Sequence, residues 1–465
     1  MPITARHPRL RSQLRPYYTQ LDLQELAGLL APALQIPLNS LGRVCASTRA
    51  EEGEDPTHYD AVWVRDSVWA CFGLAAQAHT QEQSKRVLLG LLEYFATPAQ
   101  RERQERIIAR PELAKAADGA MQVLHIRFDG RSESFADVQN GGADQIWNHK
   151  QNDAVALTSL AAAEALAIGH LKSEDISPSA WEFLRRLPLY WRALDFSNFA
   201  DAGAWEEIER VNSSSIALVT RSLELWARRP EFAQDQVFLA RLVDAGYDRL
   251  AQQLPFESPA HDRTTAFYRE ADAALLNLIY PAKLDRHTDA DRRRVLQQVE
   301  TLVRERGVIR YVGDSYQCAG FWNAPPAGET DARTDDTSSA HAFAERGRGL
   351  TEGTEAEWFF DSWISQAYGI LFASSGEKAD YLKQVEYFQR ALCQITGPGE
   401  AGADGRPVPE FALPESYNVL PGEPRRWAPS PITPLNWSKA CLILALRQLE
   451  ASLSLAKRPT APTYH

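Results

Sequence analysis

The feature that most constrains this chain is the spacing of its apolar residues. They return every three or four positions through nearly every long segment, the period of an α-helix rather than the alternation of a strand. Val87, Leu88, Leu91, Leu92 and Phe95 form one such stripe. Ile216, Val219, Leu223 and Trp226 form another, with Asn212 or Ser213 placed to cap its first turn and Pro230 to stop it. Val295, Val299, Leu302 and Val303 point to a helix closed by Gly307 as a left-handed terminator. Thr433 as cap, Pro434 at the first helical position and the set Leu435, Leu442, Leu446 and Leu449 predict a last helix. The patterning as a whole predicts an all-α chain with helices near 20–34, 66–79, 81–96, 151–168, 178–194, 213–228, 235–253, 266–279, 287–306, 355–374, 378–395 and 434–453.

The 465 residues show no Pro/Ser-rich linker and no change of composition, so one domain over 1–465 is expected, with 1–19 as an N-terminal tail. Helical hairpins in a ring suit this length, although periodicity alone does not separate a ring from a solenoid. The longer loops, 120–150, 196–212, 308–354 and 396–433, hold the aromatic and charged residues of chemical interest. Within them 330–349 is polar and nearly free of large apolar residues, which predicts a mobile surface insertion, a lid being the less expected reading.

Acidic residues outnumber basic ones 61 to 50, a net charge of -11 that repels phosphate backbones and anionic headgroups, so neither nucleic acid nor a membrane is an expected partner. No apolar run is long enough to span a bilayer, and the first twenty residues lack the apolar core of an export signal. The five cysteines, Cys45, Cys71, Cys318, Cys393 and Cys441, are odd in number and too scattered for a metal site, which fits buried thiols in a reducing, cytoplasmic setting.

Two carboxylate-bearing segments stand apart from the solvated charges. One is Ala204-Trp205-Glu206-Glu207-Ile208, shortly before the helix start at Asn212; the other is Leu413-Pro414-Glu415-Ser416-Tyr417-Asn418. Aromatic surroundings disfavour the charged form of a carboxyl and shift its acidity, a common property of acid–base catalysts. Four further clusters combine flat rings with hydrogen-bonding charges: His58 to Asp66 with Tyr59, Trp63, Arg65 and Asp66; Gln145 to Asp153 with Trp147 and Asp153; Arg310 to Asp314; and Glu357 to Phe360 with Trp358. Such a set suits a sugar, whose C–H faces stack on aromatic rings and whose hydroxyls need fixed donors and acceptors.

In this order, the segments from Tyr59 to Leu449 resemble the glucoamylase family of inverting glycoside hydrolases (family 15) and its relative, the glucoamylase-like domain of phosphorylase kinase α and β subunits. Tyr59 to Asp66 looks like the family's Tyr…Trp-x-Arg-Asp motif, and Trp147 to Asp153 is similar to its Trp-x-x-x-Gln-x-Asp segment. Ala204 to Glu207 resembles the segment of the general acid, Glu270 to Leu276 an Asp-Ala-x-Leu-Leu helix start, and Arg310 to Asp314 and Glu357-Trp358 the substrate-contacting loops. The second of those loops is closer to the kinase-type sequence. Pro414 to Tyr417 is similar to the segment of the general base, and Thr433 to Ser438 to the helix after it.

The resemblance implies an (α/α)6 toroid and an exo-acting enzyme that releases β-glucose from an α-glucoside or α-linked oligosaccharide. It implies Glu206 as general acid and Glu415 as general base, with Tyr59, Trp63, Arg65, Asp66, Trp147, Asp153, Trp205, Glu207, Arg310, Asp314, Trp358 and Tyr417 holding substrate and no cofactor or metal. The pKa of Glu206 is expected to be raised by Trp205 and by the charge of neighbouring Glu207. Inversion requires the two carboxyls to stand roughly 6.5–9.5 Å apart, leaving room for the attacking water.

Two departures bear on the leaving-group side: His149 stands where fungal glucoamylases commonly have Arg, and three additional residues separate the Trp-Glu-Glu triplet from Asn212. Without the family's β-sandwich or starch-binding modules, short soluble substrates are expected. Three alternatives remain: a catalytically silent glucan-sensing domain, as in the kinase subunits; a hydrolase for trehalose or another α-glucosyl compound; and an (α/α)6 isomerase or epimerase. The last needs a histidine pair facing the sugar, which the ten histidines do not evidently supply. No protein partner can be read from the sequence.

Overall fold

The computed structural model describes residues 4–47, 58–140, 142–320, 340–422 and 424–456. Six inner elements form a closed ring: the helices Val64–Ala75, Asn152–Ala167 and Ser213–Ala227, the 3₁₀ turn Ala273–Leu278, and the helices Asp361–Ser375 and Asn436–Ala456. Each packs on the next, and the last returns to the first. Between them in the chain lie six outer helices: Gln20–Leu30, Gln81–Phe95, Pro178–Leu194, Gln236–Gln253, Asp289–Glu300 and Lys378–Cys393. Outer and inner elements alternate, so all six inner elements start at the same end of the ring. This is the expected all-α toroid.

The sequence accounts for which helix lies where. Ser213–Ala227 is buried along almost its whole length, and Asn152–Ala167 is rich in alanine, which lets two neighbours approach closely on either side. By contrast, Gln81–Phe95 buries one stripe, Val87, Leu88, Leu91, Leu92 and Phe95 among others, and turns its charged residues outward. Aromatic rings fill the middle of the ring: Trp69 meets Trp363 at 4.6 Å and Trp437 at 5.8 Å between centroids. Removing a fully buried indole from such a column costs about 3–5 kcal/mol.

Several expected boundaries move, each for a local reason. The segment 266–279 is a short 3₁₀ turn opened by Asp272, whose carboxylate accepts from the Ala274 N–H. The helix predicted over 287–306 stops at Glu300, and Gly307 is not left-handed; its place is set by close packing against the Trp358 carbonyl, which leaves no room for a Cβ. The last helix starts at Asn436, beyond Pro434, and Thr433 donates to the Ser430 carbonyl instead of capping it. Asn212 sits at the N-cap position of its helix without a capping bond. The helix Pro98–Ala109 has no counterpart among the expected ones, because its packed face is polar: Gln100 donates to the His125 carbonyl and Gln104 to that of Phe183.

The N-terminal stretch is not a loose tail where it is described. It contains the helix Pro8–Arg11, buries Ala5 and Leu10, and pairs Arg6 with Glu400 at 2.6 Å. Of the expected mobile insertion, 330–339 lies outside the described residues, and Ala340–Arg348 is a helix. No helix among the described residues is long and apolar enough to cross a membrane.

Candidate active site

At the end of the ring where the inner elements begin, one cavity of about 840 Å³, counted out to its open mouth, is lined by Tyr59, Trp63, Arg65, Asp66, Trp147, Trp205, Glu206, Glu207, Arg310, Trp358 and Glu415. Every one of these sits at, or in the loop beside, the start of an inner element, which is how residues as far apart as Tyr59 and Glu415, 356 positions, meet.

Glu206 follows the 3₁₀ turn Gly203–Trp205 and holds a left-handed backbone, φ 57° and ψ 43°. A non-glycine residue there stores strain of about 1–3 kcal/mol, which persists when surrounding bonds fix the loop. Here the loop is closed by paired backbone bonds between Asp201 and Arg210, both 2.8 Å, and by Asn212, whose amide donates to the Asp201 carbonyl and carboxylate at 3.0 and 2.7 Å. The residues between the triplet and Asn212 fasten it further: Glu209 accepts from Asn148 at 2.9 Å and from Lys150 at 3.0 Å.

The carboxylate of Glu206 accepts from Arg65 at 2.9 Å, and burial raises its pKa above the ordinary glutamate value against the pull of that arginine. Glu207 plays a different part from the one expected. Burial would raise it, but Arg310, Arg269, Arg210 and Arg346 together hold it below the ordinary value, and it accepts from the Tyr311 hydroxyl and from Arg310 at 3.0 Å. Its charge is taken up by arginines and is not among the leading causes that act on Glu206, where the leading like-charge contribution is that of Asp153.

Glu415 enters from the opposite side of the ring. A three-stranded sheet, Glu357–Trp358, Ser416–Leu420 and Arg426–Pro429, pairs Trp358 with Ser416 and so fixes Glu415 next to an aromatic wall. Its carboxyl accepts from the Tyr59 hydroxyl and from the Gln317 amide, each at 2.5 Å. Burial pushes it up to about 7, while those two bonds and Arg310 hold it from going higher. Asp66 is likewise pushed to about 7 by burial, with Glu206 and Glu415 adding to the rise.

Three predicted residues do not line the cavity. Asp153 supports Arg65 at 2.6 Å, and Asp314 supports Arg310 at 2.6 Å, so both act one step behind the wall. Tyr417 donates to the Gln394 carbonyl under the guanidinium of Arg6 and has no part in the cavity. Glu357 accepts from the backbone at Arg306 and Gly307 and from the Trp427 indole at 3.0 Å; it holds a loop. His149 is buried behind the site, stacked on His125 at 3.8 Å and held neutral by burial and by that neighbour. The histidine pair not evident from the sequence therefore exists, but neither member lines the cavity.

The cavity also contains residues that were not anticipated: His58, Arg127, Tyr316, Arg346 and Trp437, with Gln317 just behind. Gln317 and His58, like Glu206, have positive φ, 58° and 54°. Backbone strain thus surrounds both carboxyls, a sign invisible in residue types. Arg127 lies over Trp63 and Trp147 at 4.8 and 4.3 Å. The indole N–H groups of Trp147 and Trp358 are buried without a hydrogen-bond partner, two donors available to a bound hydroxyl. Among the described residues, no group of three His, Cys, Asp or Glu side chains gathers to hold a metal.

No family model matches the chain. The uncharacterized lipoprotein YgeQ of Escherichia coli K12 is 33% identical over 195 residues, 41% of this chain and 73% of YgeQ. The chain belongs to the YgeQ family. YgeP of the same organism is 50% identical over 50 residues, half of its own length. Among solved structures, this YgeQ-family chain matches a wild-type glycosidase with a TM-score of 0.58 at 14% identity, covering 93% of this chain and 99% of the other. A variant glycosidase in complex with glucose gives a TM-score of 0.58 at the same identity and coverage. The glucoamylase of Saccharomycopsis fibuligera gives 0.54 at 14% identity, covering 95% and 97%. At that identity the likeness establishes the fold: the YgeQ-family chain has the toroid of glycosidases and glucoamylases.

Proposed function

We propose that the protein is an inverting, exo-acting α-glucosidase that releases β-glucose from short α-glucosides. The observation that carries this reading is the meeting of Glu206 and Glu415, two buried carboxyls with raised pKa values and different hydrogen-bond partners, on the wall of one cavity.

In this mechanism Glu206, protonated, donates to the glycosidic oxygen as the bond to the sugar breaks. Glu415, ionised, takes a proton from the water that attacks the opposite face. Tyr59 and Gln317 orient the Glu415 carboxylate, and Arg65, fixed by Asp153 and Gln151 at 2.6 Å each, orients Glu206. Asp66 and the free indole N–H groups of Trp147 and Trp358 bind the hydroxyls of the terminal glucose. Trp437 lines the cavity and stacks on the buried Trp69 at 5.8 Å, an aromatic floor that supports attack at a chain end. No metal or cofactor is needed for these steps.

Kinship with the phosphorylase kinase subunits would instead suggest binding without turnover, and retention of both carboxyls supports turnover. For localisation we propose the cytoplasm: the absence of any disulfide among the five cysteines is consistent with a reducing compartment, and fractionation of expressing cells tests it against the lipoprotein designation of YgeQ. The functional test is incubation of the purified protein with maltose, isomaltose, trehalose and maltotriose. Release of glucose from at least one, lost in both Glu206→Gln and Glu415→Gln, is expected; binding of these sugars without release would replace the hydrolase with a sensor.

A further inference from the structure

Arg346 is the least expected residue of the cavity. It comes from the helix Ala340–Arg348, in a segment that composition alone marks as a polar insertion, and yet its side chain is only 6% exposed. The helix is seated beside Arg210, whose guanidinium lies 5.7 Å from the Phe343 ring, and this carries Arg346 onto the cavity wall. All three guanidinium nitrogens are buried without a hydrogen-bond partner. Its charged neighbour, Glu207, is 3.9 Å away, beyond hydrogen-bond reach, and already accepts from Tyr311 and Arg310. The Tyr316 ring, 6.0 Å away, offers only a weak face contact.

A buried guanidinium whose donors are all unsatisfied is costly, and structures retain such groups where something else completes them. The surrounding charge agrees. Four guanidiniums, Arg210, Arg269, Arg310 and Arg346, face three carboxyls, Glu207, Asp272 and Asp314, which leaves one positive charge over. Burial further disfavours the charged forms of Asp272 and Asp314. Glu207, 3.9 Å from Arg346, follows Glu206, the proposed proton donor to the leaving oxygen, and on that ground Arg346 is assigned to the leaving-group side of the cavity.

We infer that the preferred substrate is an α-glucoside whose leaving group carries an anion, a carboxylate or a phosphate, received by the fork of Arg346. This rests on the hydrolase reading above and narrows its substrate class. A planar guanidinium binds either anion through two parallel N–H donors, and the neutral isostere of the anion would leave those donors unpaired.

The test compares phenyl α-glucosides that differ only in the para substituent: carboxylate, phosphonate as the phosphate arm, and neutral carboxamide. Affinities are measured calorimetrically on the Glu206→Gln protein, so that binding is read without turnover. At least one anionic compound should bind about tenfold or more tighter than the amide, and the tighter of the two names the anion. Adding Arg346→Gln should remove the preference, and Arg346→Lys should keep part of it. Affinities for both the carboxylate and the phosphonate no higher than for the amide in the Glu206→Gln protein overturn the inference whether or not any Arg346 variant folds. So does a preference that survives Arg346→Gln. Turnover of maltose by the wild-type protein is scored separately: its absence counts against the hydrolase reading, while the binding ratio still reports on Arg346.

Discussion

Tyr59→Phe probes the proposed base more finely than removal of the base itself. The Tyr59 hydroxyl stands 2.5 Å from Glu415 Oε1 and 3.3 Å from the Tyr316 hydroxyl. Burial and the charge of Glu415 hold the Tyr59 phenol well above its ordinary pKa of 10.0, so it remains a donor throughout the working range. A donated hydrogen bond favours the ionised carboxylate, so losing it must raise the Glu415 value from about 7. A hydrogen bond to a charged group contributes about 1.5–3 kcal/mol, and about 1.36 kcal/mol corresponds to one pH unit, so the expected rise is about one to two units. The acid limb of the kcat/KM profile reports ionisation of the base in the free enzyme. It should lie near pH 7 in the wild type and move upward by that amount in Tyr59→Phe, measured with a neutral α-glucoside. A limb that stays in place or moves toward acid would refute the assignment of Glu415 as base and of Tyr59 as its donor.

Other perturbations separate the remaining roles. Glu206→Gln should lower turnover of maltose by about 10²- to 10⁴-fold yet spare most activity on α-glucosyl fluoride, whose leaving group needs no proton; equal losses on both would contradict a proton-donor role. Glu415→Gln should be more stable than the wild type at pH 8 than it is at pH 5. The folded Glu415 keeps its proton up to about pH 7 whereas an unfolded one loses it near 4.5, so the wild type binds more protons when folded in that window and its stability falls as pH rises through it. Thermal melts of both proteins at the two pH values check this, and a constant difference would count against a raised Glu415. Gly203→Ala should lower both the melting temperature and activity, because φ is +63° there and the added Cβ would lie 2.7 Å from the Asn212 amide that fixes the Glu206 loop; unchanged melting would show that the loop is not held this way.

The ring was legible in the sequence because its two layers leave different periodic marks: a narrow stripe on Gln81–Phe95 and near-continuous burial along Ser213–Ala227. Pro98–Ala109 left no such mark, since glutamines reaching backbone carbonyls do the packing there. In the same way, eleven lining residues were legible as aromatic and charged clusters at helix starts, whereas Asp153 and Asp314 could be recognised as relevant but not as supports for Arg65 and Arg310. Side-chain direction within a motif is set by tertiary pairing, which is why Tyr417 reads like its neighbour Glu415 and yet lies under Arg6. Arg346 was hidden for a further reason. A single arginine in a polar stretch looks solvated until Phe343 is seen seated beside Arg210, turning that helix over the cavity.

The most direct measurement is the anomeric form of the glucose first released, followed by proton NMR immediately after the enzyme is mixed with a cleavable α-glucoside. Direct displacement by a water activated at Glu415, with Glu206 on the other face, requires β-glucose to appear first and to equilibrate only later. Initial release of α-glucose would contradict it, because retention needs a covalent or doubly displaced path that these two carboxyls are not proposed to provide.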